Sequence, residues 1–189
     1  MHRRHLLLTA ALSLAAASAA HATVAPLSAG SGWSTFDVAD IIANDGGLGW
    51  IDIGDGSALG FQFVVPSGFS GRLTVVDGGF SGDAFSVIAN GLLLGTTSAP
   101  VNSLATNVGL DFDAALANPD FSRGVFTLAA GTYLLTGALT TSAFDASGAL
   151  NSTVGAVRLE VSPVPAPPAL ATILAGLGAL GFVVRRRSK

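Results

Sequence analysis

Between Thr23 and Ser162 the chain is a series of short apolar runs broken by glycine, asparagine, aspartate and proline. Large apolar residues alternate there with small or polar ones, the two-residue period of half-buried strands. Trp33–Val38 predicts a first strand and Gly49–Ile53 a second. Leu59–Val65 alternates most cleanly and stops at Pro66, which has no N–H for a ladder. Arg72–Asp77 follows after a Gly-rich turn. The strongest local signal is Phe85–Gly95, where Asn90-Gly91 separates two apolar runs and predicts a hairpin. Thr96–Thr106 is small and polar and predicts a loop, and Asp111–Ala117 a single helical turn before Asn118-Pro119-Asp120. Gly124–Leu128 and Thr132–Leu139 predict a second hairpin, Thr153–Val161 the last strand, and Ser162–Pro168 an extended linker. About nine short strands with turn signals between them predict an all-β body, an antiparallel β-sandwich of jelly-roll type.

Both ends depart from this pattern. Met1-His2-Arg3-Arg4-His5 is basic, Leu6–Ala17 is apolar, and Ala20-His21-Ala22 is a small-x-small site. This is the layout of a secretory signal peptide over residues 1–22, with the cut expected between Ala22 and Thr23. A first membrane anchor is the weaker reading, because the apolar core is short. At the other end, residues 163–168 hold the proline stretch Val164-Pro165-Ala166-Pro167-Pro168, followed by an uncharged run Ala169–Val184 and by Arg185-Arg186-Arg187-Ser188-Lys189. Sixteen helical residues reach about 24 Å, short of a hydrocarbon core of about 30 Å, and arginine stems make up the difference by snorkelling. A buried core helix would have the same length. The absence of a polar face and the four cations in the last five residues favour a transmembrane helix, with the basic end cytoplasmic and the body outside.

The three-part tail resembles the PEP-CTERM sorting signal of exported proteins in Gram-negative bacteria. Val164, Pro165 and Pro167 match its Val-Pro-x-Pro motif, and Ala166 stands where that family usually has Glu. Arg185, Arg186 and Arg187 match its arginine cluster. The resemblance implies export by the Sec machinery and a stage in the inner membrane. An exosortase-type membrane protease would then cut the tail and release the body to the cell surface or extracellular matrix. It covers about 27 residues and implies nothing about what the body does.

Composition narrows the body's chemistry. The mean hydropathy of +0.60 is raised by the two apolar ends. The body keeps Arg72, Arg123 and Arg158 against all twelve acids, a formal charge of −9 that disfavours nucleic acid and anionic lipid as partners. There is no cysteine, and the three histidines, His2, His5 and His21, all precede the expected cut. Ser-His-Asp and Cys-His catalysis and His- or thiolate-bound metals are thereby removed from the body.

Oxygen chemistry remains. Asp77 and Asp83 flank a Gly-rich turn, and Asp111 and Asp113 are two apart, a spacing that puts both on one face of a strand. Such carboxylates suit calcium, which takes six to eight oxygens. Aspartates in Gly-rich turns also serve simply to cap and bend the backbone. Trp33, Trp50 and Tyr133 would stack on sugars if they formed an exposed row, and would be core if buried. Paired carboxylates could hydrolyse glycosides, although among twelve acids some pair is inevitable. The expectation is a non-enzymatic exported protein with no cofactor. The alternatives are a calcium- or exopolysaccharide-binding module, a secreted hydrolase, and an uncut single-span membrane protein.

Overall fold

The strongest alternation is also the most regular strand. Along Leu59–Val65 the side chains of Phe61, Phe63 and Val65 are buried, while Gln62 and Val64 face outward. The computed structural model describes residues 22–165. The expected apolar leader with Ala20, the motif residues Ala166 and Pro167, the run Ala169–Val184 and the cluster Arg185–Arg187 lie outside the described residues.

In chain order the elements are β1 (Thr23–Pro26), β2 (Ser34–Ala39), β3 (Leu59–Val65), β4 (Phe69–Asp77), β5 (Gly79–Ser81), β6 (Ala84–Ala89) and β7 (Leu92–Thr96). There follow β8 (Ser103–Gly109), α1 (Phe112–Ala117), β9 (Arg123–Leu128), β10 (Gly131–Thr141), β11 (Phe144–Asp145), β12 (Gly148–Ala149) and β13 (Ser152–Pro163). One sheet has the order β1-β3-β10-β6-β7 and the other β2-β13-β4-β9, with two small ribbons, β5-β8 and β11-β12. The body is therefore all-β. Phe61, Phe63, Phe85, Val87, Leu135 and Leu139 of the first sheet share one core with Phe36, Val38, Leu73, Val75, Leu128, Val157 and Leu159 of the second. A smaller cluster of Val76, Ala156, Phe112, Ala115 and Phe121 lies between the back of β4 and β13 and the helix, so β4 is buried on both faces along its second half.

The Asn90-Gly91 hairpin forms as its sequence predicts. Both residues have positive φ, 51° and 78°, the requirement of a tight turn whose twist matches its strands. The Asn90 side chain fastens the turn to β10, donating to the Thr132 carbonyl and accepting from the Leu134 N–H.

Five expectations are corrected. Gly124–Leu128 and Thr132–Leu139 do not pair as a hairpin: β9 lies against β4 in one sheet and β10 against β3 and β6 in the other. Gly49–Ile53 is not a strand: Gly49 bridges to Ala138 in one sheet and Ile51 to Asp37 in the other. A segment that crosses between sheets cannot keep one ladder. Part of the expected loop Thr96–Thr106 is strand, because β8 begins at Ser103 and pairs irregularly with β5, itself inside the expected Gly-rich turn. The body is not wholly antiparallel, since β1 lies parallel to β3 from Thr23 opposite Leu59 to Pro26 opposite Gln62. Asp111 and Asp113 are not on a strand: Asp111 caps α1 by accepting from the Ala114 N–H, and Asp113 sits in its first turn. Among the described residues no helix is long and apolar enough to cross a membrane.

Candidate functional site

The structure brings Asp77 and Asp83 together. Asp77 is the last residue of β4 and Asp83 immediately precedes β6. Between them Gly82 turns at φ 145°, tight against Asn102 and Ala143, where a Cβ would stand within 2.8 Å of both side chains. The Asp83 N–H donates to Asp77 Oδ2 at 3.3 Å, the Thr153 hydroxyl to Asp77 Oδ1 at 3.4 Å, and the Ala143 N–H to Asp83 Oδ1 at 2.9 Å. Asp77 is 0% exposed and Asp83 2%. The ion pairs among the described residues are Arg72–Glu160 and Arg158–Asp113, so neither buried carboxyl has a cationic partner. Burial, reinforced by the neighbouring Asp83, pushes Asp77 up to about 8. Burial also raises Asp83, against the opposing pull of the Ala143 N–H.

As a calcium set the four predicted aspartates do not converge. Asp111 is occupied by its cap, while Asp113 accepts from Arg158 at 3.0 Å and from Trp33 Nε1 at 3.1 Å. No group of three or more His, Cys, Asp or Glu gathers as a metal centre among the described residues. Two carboxylates fall well short of the six to eight oxygens calcium takes.

Nor do the three aromatics form a row. Trp50 is buried and stacked on Phe36, with ring centroids 3.9 Å apart. Trp33 is covered by the Arg158 guanidinium, 4.2 Å from the ring centroid. Tyr133 stacks on Phe63 and donates its hydroxyl hydrogen to the Ala129 carbonyl.

A second pair of carboxylates, not singled out from the sequence, lines an open pocket of about 190 Å³ where β1 and β2 form neighbouring edges of the two sheets. Asp37 of β2 and Asp52 of the crossing segment share it with the side chains of Thr23, Thr35 and Ile53, over Phe61. Asp37 and Ile51 exchange backbone hydrogen bonds of 3.2 and 2.8 Å, which carries Asp52 to the pocket. Asp52 Oδ1 accepts from the Gly54 N–H at 2.8 Å. Partial burial, and then the nearby Asp52, raise the Asp37 carboxyl above its usual range. The Thr23 hydroxyl is already hydrogen-bonded to Ser57 Oγ at 2.8 Å, and the two carboxyls with the Thr35 hydroxyl make a hydrogen-bonding surface for a polyhydroxylated ligand. Fourteen residues separate the two aspartates, and the bridge through Ile51 brings them together, so no local pattern could have announced the pair.

Of the residues expected to direct export, Ala22 directly precedes β1, and Val164 and Pro165 directly follow β13. Val164 is 53% exposed and donates its N–H to the Gly68 carbonyl. Comparison of the chain with protein-family models, with curated proteins and with solved structures finds no match to any of them.

Proposed function

We propose that the protein is an exported component of the cell surface or extracellular matrix. In this reading the Sec machinery exports it, its C-terminal helix holds it in the inner membrane, and an exosortase-type protease cuts it from a PEP-CTERM-like tail. The observation that carries the reading is the order of proline motif, apolar run and arginine cluster in residues 164–189. Among the described residues the first strand begins at Thr23, the residue after the expected leader cut, and the final strand ends at Pro163, one residue before the motif. The body itself is a jelly-roll sandwich on this reading. With β1, β5, β8 and the two-residue strands set aside, the eight remaining strands fall in the orders 1-8-3-6 and 2-7-4-5, the interleaving of two Greek keys.

Mass spectrometry of protein recovered from the envelope and the medium tests the proposal. The expected C-terminus lies between Pro165 and Pro168, in material outside the inner membrane. A chain still ending at Lys189 and confined to the inner membrane overturns sorting and leaves a permanent single-span protein.

The edge pocket favours a second reading, in which the body binds exopolysaccharide. Retention on the cell's own exopolysaccharide is expected to fall at least about tenfold in Asp37→Ala/Asp52→Ala, the effect of losing some 1.4 kcal/mol of hydrogen bonding. Equal retention of both proteins removes this reading. Release of reducing ends by the unaltered protein, absent from the variant, would instead make it a hydrolase.

A further inference from the structure

All eleven aspartates lie toward one end of the two sheets. Asp40, Asp45, Asp52 and Asp55 are in the β2–β3 connection, Asp77 and Asp83 flank β5, and Asp111, Asp113 and Asp120 lie between β8 and β9. Asp145 is in the β10–β13 connection, and Asp37 is near the end of β2 from which the β2–β3 connection leaves. Register places these together: Ala39 is opposite Ser152, Asp77 opposite Gly155, and Ala84 opposite Thr141.

The other end is built differently. It consists of the uncharged β1–β2 connection, the turns β3–β4, β6–β7 and β9–β10 and the end of β13, with Pro163 opposite Phe69, Gly131 opposite Val65, and Asn90 fastened to Thr132. These turns read Pro66-Ser67-Gly68, Asn90-Gly91 and Ala129-Ala130, with no charged residue among them, and the charges nearest to them, Arg72 and Glu160, neutralise each other as an ion pair on β4 and β13. Around them Leu92 is 74% exposed and Leu93 65%, with Val64, Leu134, Phe69 and Val164 also open to solvent. Exposed apolar residues occur at the acidic end too, among them Ile41, Ile42, Phe80, Val101 and Phe144, so what separates the two ends is charge.

We infer that the uncharged apolar end is a docking surface for a lipid bilayer, on which the body stands end-on while the tail is inserted. The inference rests on the membrane stage of the function proposed above. The chain leaves the body at Val164, on this same end. Only Pro165–Pro168 separate it from Ala169, a tether of about 18 Å when fully extended. An inserted tail therefore holds Val164 within that distance of the hydrocarbon. Leu92, Leu93, Val64, Phe69 and Leu134 are then the side chains presented to the interface. The opposite arrangement would drive the nine aspartates that are not buried toward lipid phosphates. The uncharged turns meet no such repulsion, and their apolar side chains gain from leaving water.

The chain has no cysteine, so one introduced thiol gives a unique label site. Full-length Leu92→Cys and Ile41→Cys, both at strongly exposed positions, are labelled with an environment-sensitive fluorophore. They are reconstituted in phosphatidylethanolamine–phosphatidylglycerol vesicles that carry a headgroup nitroxide quencher, and insertion is read separately as resistance to carbonate extraction. The expected result is extraction-resistant protein whose label is blue-shifted and quenched at position 92, and neither at position 41. Extraction-resistant protein with equal signals at both positions overturns the docking and leaves the inserted tail standing. Protein released by carbonate overturns the insertion itself, and the docking with it.

Discussion

Trp50→Ala lowers the free energy of unfolding by about 3–5 kcal/mol, read as a lower urea midpoint with an unchanged slope. Trp50 belongs to no strand, yet it is among the largest fully buried side chains. It fills the seam where the chain crosses between sheets, its N–H bonded to the Gly137 carbonyl and its carbonyl to the Leu59 N–H. Its indole lies on Phe36 at 16° to parallel, and Phe85 meets Phe36 edge-on. Glycines close the stack at both ends. Gly137 of β10 lies against the indole, and Gly155 of β13, opposite Phe36 in register, lies under the phenyl ring. A Cβ at Gly137 would strike the indole and stand 2.6 Å from the Ser86 carbonyl oxygen, so Gly137→Ala is destabilising by the opposite route, overpacking. Trp50 Nε1 is buried without a partner, which makes Trp50→Phe much milder than Trp50→Ala, since it removes an orphaned donor along with some contact area. An alanine variant within about 1 kcal/mol of the parent would show that the stack is not the centre of the core.

The melting temperature falls by at least ~5 °C between pH 5 and pH 9, and Asp77→Asn removes most of that fall. Asp77 is raised to about 8 in the folded protein by burial and by Asp83, whereas an unfolded chain returns it to near 4. Between those values the folded state holds more protons than the unfolded one. Stability is therefore complete below the unfolded value and is lost as pH rises toward and through 8. Asp83, raised in the same direction, adds to the slope. Asparagine keeps the shape of Asp77 and its acceptor for the Asp83 N–H without an ionisable proton. A flat profile in the parent would place the pair in contact with water or with a bound cation, and an undiminished slope in Asp77→Asn would assign the pH dependence to other groups. Repeating the scan with calcium separates water from a cation, because only a cation that binds the folded state raises the high-pH melting temperature.

The parts of this fold legible in the sequence are those whose determinants are local. Asn90-Gly91 encodes its own turn, and Leu59–Val65 and Thr132–Leu139 carry their inward faces as alternation. The turn of helix at Phe112–Ala117 is announced by Asp111 as its cap and by the Pro119 beyond it. What escaped depends on distant partners. β1 has four residues, Thr-Val-Ala-Pro, and becomes a strand because β3 offers it an edge. β8 is small and polar along most of its length and pairs only with the irregular β5. Gly49–Ile53 has the composition of a strand, but its residues are divided between two sheets. Candidate chemistry divides in the same way. Asp77 and Asp83, six residues apart across a Gly-rich turn, were visible as a pair, but their burial was not. Asp37 and Asp52 become neighbours only when the crossing segment pairs with β2.

The last strand among the described residues lies inside its sheet. β13 runs between β2 and β4, in register from Ser152 opposite Ala39 to Pro163 opposite Phe69. Until it arrives, β2 has no ladder partner in that sheet and β4 and β9 stand apart from it. The body thus has a built-in delay: closure waits for its own final strand, and its most distant contacts form at the end. A chain threaded through a membrane pore with its N-terminus leading would reach the far side with β2 still unpaired and would fold only once residue 163 had cleared the pore.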